Sequence, residues 1–192
     1  MAVSFEEADQ AAMKRLGGGE DLALNEIMQR WKEPLSHYLF RQLGHERDAV
    51  ELAQETFVRV YEQRSRYRPQ GKFSTWLFTI ATNLGRSHRR WQSRHPVVSL
   101  HEDGTDFSGQ LADGNADASG QLEKSERAKL VRKEIARLPE DLRTALLLFE
   151  YEDFGYEEIA KIMDCSTKAV ETRLYRARAL LRESLAAIRG EA

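Results

Sequence analysis

The apolar residues of this chain recur at every third or fourth position, and no window alternates convincingly between apolar and polar side chains. Spacing of this kind places apolar side chains along one face of an α-helix, whereas a half-buried strand needs alternation. Such stripes run through residues 24–43, 49–61 and 74–91, and shorter ones follow after residue 128. The pattern therefore predicts an all-α protein.

One segment, EDGTDFSGQLADGNADASGQ at residues 102–121, breaks this pattern. It is rich in Gly, Asp and Ser, and it holds too few large apolar residues to offset the entropy cost of ordering. We therefore expect two small helical domains, an N-terminal helical bundle at residues 1–95 and a C-terminal unit at residues 126–192. A flexible acidic linker at residues 96–125 would join them. From the residues alone, this segment is equally well explained as a mere spacer.

The formal net charge of −2 conceals a segregation of charge along the chain. Residues 63–101 contain eight Lys or Arg and no Asp or Glu, while residues 102–121 contain five acidic residues and no Lys or Arg. Aromatic residues such as Tyr67, Trp76 and Trp91 are interleaved with the basic ones. Because cationic side chains contact phosphates and rings stack on unpaired bases, this acid-free segment predicts a nucleic-acid surface that handles some single-stranded bases.

Composition and motifs argue against several other classes of protein. The single cysteine, Cys165, excludes an internal disulfide, and no HxxxH or HExxH spacing occurs, so we expect no metal and no cofactor. No apolar run approaches the roughly 20 residues that span a bilayer, so we expect a cytoplasmic protein without membrane insertion. No nucleophile–base pair or glycine-rich phosphate loop is visible, so we expect no enzymatic activity.

The sharpest local signal is YEEIAKIMDCSTKAVETRLYRARALLRESL at residues 156–185. It predicts a short helix from Tyr156 to Met163, a tight turn, and a second helix capped by Ser166 or Thr167. Two helices joined by such a turn, the second rich in Arg, are typical of the helix-turn-helix motif, whose second helix fits the major groove. A plain amphipathic helical hairpin would give the same pattern.

Two blocks of sequence resemble one known family. The stretch LPEDLRTALLLFEYEDFGYEEIAKIMDCSTKAVETRLYRAR resembles the C-terminal promoter-reading domain of bacterial extracytoplasmic-function (ECF) sigma factors. The blocks DAVELAQETFVRVYEQ and YRPQGKFSTWLFTIATNLGRSHRRW resemble their N-terminal domain. The resemblance implies an alternative sigma factor that binds core RNA polymerase, recognises the −10 and −35 promoter elements and directs transcription initiation in a stress or envelope response.

The resemblance also implies three sets of contact residues. The candidate −10 contacts are Tyr67, Arg68, Lys72, Asn83, Arg86, Arg89 and Arg90. The candidate −35 contacts are Arg143, Lys168, Thr172, Arg173, Tyr175, Arg176 and Arg178, of which Arg143 and Arg178 would anchor the DNA backbone. The candidate contacts with core polymerase are Asp48, Leu52, Gln54 and Glu55. Apart from the family, Gln54 and Glu55 are equally well explained as solvated positions.

The implied partners are core RNA polymerase, through its clamp helices and flap, and promoter DNA in duplex and single-stranded form. An anti-sigma factor is a further possible partner, although no residue identifies one. Glu171 stands where the family commonly has a basic residue, and Lys168-Ala169 replaces a frequent Gly-Thr pair, so promoter specificity does not carry over. In related complexes the linker threads toward the RNA exit channel, where Asp103, Asp106, Asp113 and Asp117 could mimic RNA. The competing interpretation is a helix-turn-helix regulator that acts without core polymerase.

Overall fold

The structure, a computed structural model, describes residues 5–68, 71–95 and 118–190, and for residues 118–126 and 189–190 the backbone only. The helices in these ranges are α1 (Phe5–Gly17), α2 (Ala23–Leu43), α3 (Glu46–Glu62), α4 (Phe73–Arg94), α5 (Ala118–Arg137), α6 (Glu140–Glu150), α7 (Tyr156–Met163) and α8 (Thr167–Gly190). No strand occurs among the residues described. The all-α prediction is confirmed.

Local sequence signals set several helix ends. Gly44 ends α2 with a φ of 80°, a left-handed conformation that glycine adopts at little cost, and its amide donates to the carbonyl of Phe40. The helix α7 has the bounds that the sequence predicts. Its successor α8 is capped by Ser166, whose Oγ accepts a hydrogen bond from the amide of Ala169 at 3.2 Å.

Two features of the fold differ from the sequence-based expectation. The spacing of apolar residues does not predict α1, which begins at Phe5 and is amphipathic. The proposed linker of residues 96–125 overlaps α5, because this helix already begins at Ala118. Residues 121–129 (QLEKSERAK) are mostly good helix formers, which explains why the helix extends into the expected linker. The remainder of that linker, residues 96–117, lies outside the described residues, as do its four candidate RNA-mimicking aspartates.

The N-terminal unit, α1–α4, is built around α2. Tyr38 is fully buried there, with its ring 5.1 Å from that of Phe78 and its hydroxyl 2.7 Å from Thr82 Oγ1. The helix α1 is held by Asp9, whose carboxylate accepts hydrogen bonds from Arg30 at 2.7 Å and Trp31 at 2.9 Å. Hydrogen bonding of this kind compensates the cost of burying a carboxylate.

The C-terminal unit, α5–α8, encloses a second group of fully buried side chains that includes Leu147, Leu148 and Ile159. Between α7 and α8, Asp164 adopts a φ of 51° and the amide of Cys165 donates to the carbonyl of Ala160 at 2.9 Å. This turn fixes the second helix relative to the first. The two helices and the turn of the predicted helix-turn-helix are therefore present in the structure.

The two units pack against each other, mainly through α4 with α7 and α2 with α6. Phe154, which is 6% exposed, places its ring 5.0 Å from that of Phe78. Beside this pair, Gln42 Nε2 donates to Thr144 Oγ1 at 3.0 Å. The contact between the units therefore combines apolar burial with directed hydrogen bonds, which together specify one arrangement.

Within the described ranges, no helix is both long and apolar enough to cross a membrane. Those ranges also hold no group of three or more His, Cys, Asp or Glu side chains placed to bind a metal ion.

Candidate nucleic-acid interface

Helix α4 presents one exposed stripe to solvent. Asn83, Ser87, Arg90 and Arg94 recur at three- and four-residue spacing and are all exposed, because α4 buries a different side that includes Leu77. No carboxylate lies on α4. The stripe therefore offers an amide and two guanidinium groups without local repulsion of phosphate, which suits a nucleic-acid strand. Of the predicted −10 contacts, it contains Asn83 and Arg90.

The other two predicted arginines of α4 face the C-terminal unit. Arg86 Nη2 lies 3.5 Å from Asp141 Oδ1 on α6. Arg89 is half-buried, and burial lowers the pKa of its guanidinium, although it remains charged at neutral pH. Neither side chain lies on the exposed stripe with Asn83 and Arg90.

The predicted −10 residues before α4 occupy mixed environments. The ring of Tyr67 packs 4.9 Å from that of Trp76 and 6.1 Å from that of Phe73, so it belongs to the edge of the core. Burial raises the pKa of its hydroxyl to about 12. Arg68 is exposed and donates to the carbonyls of Ser65 and Tyr67. Lys72 forms an ion pair with Glu158 of α7 at 3.0 Å.

Helix α8 carries the second exposed polar face. Lys168, Thr172, Tyr175 and Arg176 all project into solvent, and Tyr175, at 70%, is among the most exposed of the large hydrophobic residues in the described ranges. Lys168 is bound to Glu171 at 2.7 Å, within the same helix. The face combines cationic, hydroxyl and aromatic groups at helical spacing, which are groups that can contact phosphates and base edges in a major groove.

Three predicted −35 contacts lie away from this face. Arg173 contacts Asp141 at 2.9 Å and Cys165 Sγ at 2.9 Å. Arg178 binds Glu150 at 2.7 Å. Arg143 is only 7% exposed and donates to the carbonyl of Ala136 at 2.7 Å, and its burial lowers its pKa to about 10.

The prediction that Arg143 anchors the DNA backbone needs correction for this arrangement of the units. The resemblance to the family implied this role, but the side chain of Arg143 is buried and its guanidinium donates to the carbonyl of Ala136 on α5. A guanidinium at this depth cannot reach a phosphate while the units remain packed.

The predicted polymerase-contacting residues lie on α3 in different environments. Gln54 is exposed, Leu52 is half-buried, and Glu55 forms an ion pair with Arg59 at 2.8 Å. Asp48 Oδ2 lies 3.1 Å from His88 Nε2 and accepts from Gln92 Nε2 at 3.0 Å, which joins α3 to α4.

Sequence reasoning missed an apolar member of the same α3 surface. Val58 follows Gln54 by one helical turn and is 48% exposed, so it adds an apolar side chain to this polar surface. The departure of Val58 from the buried stripe was the only signal that could have singled it out.

Sequence reasoning also missed three carboxylates that meet cations of the N-terminal unit, namely Asp141, Glu152 and Glu158. Glu152 lies 3.4 Å from Arg41, whose guanidinium also stacks 4.4 Å from the centre of the Tyr151 ring. Burial raises the pKa of Glu152 to about 7, against the opposing effect of Arg41. No sequence pattern could pair these residues, because their partners lie far away in the chain.

Two solved structures share the fold. The structure described as CnrH in complex with the cytosolic domain of CnrY aligns with a TM-score of 0.67 and 24% identity, over 94% of this chain and 98% of that one. The sigma factor RpoE in complex with the anti-sigma factor NepR from Bartonella quintana aligns with a TM-score of 0.66 and 22% identity, over 85% of this chain and 97% of that one.

Two family models and full-length relatives match the sequence. The model of sigma-70 region 2 matches residues 27–95, and that of sigma-70 region 4 matches residues 128–181. The ECF RNA polymerase sigma-E factor of Haemophilus influenzae is 32% identical over 92% of this chain and 95% of its own length. The RNA polymerase sigma-H factor of Pseudomonas aeruginosa is 32% identical over 97% of this chain and 98% of its own. With both regions present in order and the likeness extending over almost the whole length, the chain belongs to the ECF family of RNA polymerase sigma factors.

Proposed function

We propose that this sigma factor binds core RNA polymerase and contacts promoter DNA through two surfaces of different chemistry. The single observation that carries the proposal is the presence on one chain of both faces: the exposed, acid-free stripe of α4 and the exposed polar face of α8. The first suits strands that have separated, and the second suits an intact major groove. The protein would act in the cytoplasm, without catalysis of its own.

At the −10 element, Asn83 is the proposed reader of an unpaired base. Its exposed amide both donates and accepts, as a base edge requires, and Arg90 lies two turns further along the same stripe. Arg90 and Arg68 would hold the strand through phosphates. Extracting a base from the stack costs a few kcal/mol, which these contacts must repay. The ring of Tyr67 packs against those of Phe73 and Trp76 in this structure, so its proposed contact with a base requires a local rearrangement.

At the −35 element, α8 would enter the major groove with Lys168, Thr172, Tyr175 and Arg176. Arg176 is the strongest candidate for base reading, because an exposed guanidinium can bind guanine with two hydrogen bonds. Lys168 is held by Glu171, which reduces its attraction for phosphate unless the pair opens. Arg173, Arg178 and Arg143 contribute only after they leave their present partners.

The surface of α3 is the proposed contact with the clamp helices of the polymerase. The exposed Gln54 and Val58 lie on one side of the helix, with Glu55 and Leu52 at its margin. The centre of a protein interface is more apolar than its rim, so Val58 is the proposed centre of this contact. The C-terminal unit is proposed to reach the flap, and an anti-sigma factor that covers α3 is a further proposed partner.

Transcription in vitro with purified core polymerase and a promoter library tests the proposal. We expect RNA synthesis that depends on this chain, with start sites that share −10 and −35 sequences. Absence of any start would contradict the proposal, and binding of the chain to duplex DNA as a dimer without polymerase would favour the helix-turn-helix regulator instead.

Two matched pairs of variants test the surfaces. Arg176→Ala should lower initiation by a factor that corresponds to about 1–3 kcal/mol, while Arg182→Ala, exposed on the same helix, should not. Asn83→Ala should lower initiation on duplex promoters, while Asn25→Ala, exposed on α2, should leave it unchanged. Equal effects within either pair would remove that surface from the mechanism.

A further inference from the structure

A row of aromatic rings lies at the C-terminal end of α4, beside the exposed stripe. Trp91 and His95 are stacked, with ring centres 5.0 Å apart and planes inclined by 24°, and the ring of His88 lies 6.4 Å from that of Trp91. The three residues recur at three- and four-residue spacing, which aligns side chains along one side of a helix. Trp91 is 53% exposed, although tryptophan side chains are highly buried on average. The row is therefore an aromatic surface that the fold leaves open to solvent.

Contacts with α3 and with the backbone of α4 hold this row of rings in place. Asp48 Oδ2 lies 3.1 Å from His88 Nε2 and accepts from Gln92 Nε2 at 3.0 Å, so one carboxylate holds two positions of α4 that are one turn apart. At the end of the helix, His95 Nδ1 lies 3.0 Å from the carbonyl oxygen of Trp91, which orients the imidazole beside the indole. Because the rings are already ordered, a ligand that binds them loses less free energy to the ordering of side chains.

The charges around the rings indicate the kind of ligand. Arg90 and Arg94, on either side of Trp91 in the sequence, are both exposed, and α4 carries no carboxylate. Guanidinium groups beside an open ring are the combination that binds single-stranded nucleic acid, in which rings stack on bases and cations contact phosphates. In an intact duplex the neighbouring base pairs cover the faces of each base. A stacking surface on α4 therefore has a ligand only where the two strands have separated.

We propose that Trp91, stacked on His95, binds an unpaired promoter base at a second position, separate from the base that Asn83 reads. The inference rests on the proposed function, since it extends the DNA-contacting stripe of α4. Trp91 lies eight positions after Asn83, which is about 12 Å along the helix axis. Bases of one strand are about 3.4 Å apart when stacked and further apart when the strand is extended, so this distance spans about two to four nucleotides. Stacking does not read base edges, so this position adds affinity for the open strand without sequence specificity.

The test uses the full chain bound to core polymerase and two labelled promoter probes, an intact duplex and a fork whose −10 strands are unpaired. Trp91→Ala removes the indole, and Trp91→Phe keeps an aromatic ring. Leu22→Ala is the control, because it removes an apolar side chain that is 74% exposed and lies outside α4. Fluorescence anisotropy at several salt concentrations separates stacking from phosphate contact, because only phosphate contact releases counterions.

We expect Trp91→Ala to bind the fork about tenfold more weakly than the wild type and the duplex equally well, with an unchanged dependence on salt. Trp91→Phe should retain most of the affinity for the fork, and Leu22→Ala all of it. Arg94→Ala should instead weaken the binding of both probes and reduce the slope of log K against log salt by about 0.7–0.9, the effect of one phosphate contact.

A fluorescent base shows where the contact lies. The emission of 2-aminopurine is quenched by stacking, and the base is placed in turn at each unpaired position within about four nucleotides of the base at which Asn83→Ala has its effect. One position should be quenched by the wild type and by Trp91→Phe, and less by Trp91→Ala.

Three results would overturn the inference: no position quenched by the wild type, equal weakening of duplex and fork by Trp91→Ala, or weaker binding of this variant to core polymerase without DNA. The last result would make Trp91 a protein contact. Failure of the wild type to initiate with polymerase would instead contradict the proposed function.

Discussion

Glu152 should make the stability of the packed arrangement depend on pH. Its side chain is only 10% exposed, between Arg41 of α2 and the neighbouring Asp153. Burial disfavours the carboxylate and raises the pKa of Glu152 to about 7 from an ordinary value of 4.5. The charge of Asp153 raises this pKa further, whereas that of Arg41 lowers it. The neutral acid is therefore the form that the fold prefers.

The sign and size of this pH dependence follow from the linkage between proton binding and folding. A carboxyl group whose pKa is higher in the folded state contributes its full stability below pH 4.5 and loses it as pH rises toward 7. The shift corresponds to about 3 kcal/mol, at about 1.4 kcal/mol for each pH unit. Glu152→Gln replaces the acid by a neutral group of the same shape. The variant should therefore equal the wild type in stability near pH 4.5 and exceed it by about 3 kcal/mol at pH 8.

The assay is urea unfolding of both proteins, followed by circular dichroism at several values between pH 5 and 8. Because the other titrating groups are common to both, the difference between the two free energies of unfolding isolates Glu152. Glu157→Gln is the matched control, since it removes one charge from an exposed position on α7 that is not among the groups shifting the pKa of Glu152. A difference that stays constant with pH, or that shrinks as pH rises, would refute the reasoning.

Three further predictions concern the stability of the fold, and urea midpoints measure each of them. Tyr38→Phe should lower the free energy of unfolding by about 1–2 kcal/mol, because it removes a buried hydroxyl bonded to Thr82 and Gln42. An unchanged midpoint would show that these hydrogen bonds make no net contribution to stability. Gly44→Ala should cost about 1 kcal/mol through its φ of 80° alone, since no atom lies within 4 Å of the added carbon, and a stabilised protein would contradict this. Leu147→Ala should cost about 2–5 kcal/mol by leaving a cavity in the C-terminal core, and a loss below 1 kcal/mol would mean that the core collapses around it.

Local signals explain why much of the fold could be predicted. Helix α7 and the turn at Asp164 depend on residues within a few positions of one another, so their periodicity and capping identify them. Helix α1 was missed because its stripe is short and its stability comes from a distant contact, the bonds of Asp9 with Arg30 and Trp31. Propensity is a weak guide when tertiary contacts hold a helix in place.

The candidate site also contains residues that the sequence predicts and residues that it does not. Exposed positions of α8 such as Tyr175 and Arg176 follow from helical spacing, since the buried Val170 and Leu174 fix which side faces the core. Helical spacing does not reveal Arg143, because the side of α6 that carries it is covered by another unit and not by solvent. Burial of a polar face depends on what packs against it, which one helix cannot indicate.

The amino-acid sequence by itself determined that the chain is helical, where its charge is segregated and that it contains a helix-turn-helix, because each of these is encoded over short distances. Only the tertiary structure decided which Lys and Arg side chains are available to contact DNA. Arg86 and Asp141 are 55 positions apart, and Lys72 and Glu158 are also distant in sequence, so their pairing is a property of how two units dock. Electrostatic attraction depends on separation in space, and separation in space between distant residues is set by packing.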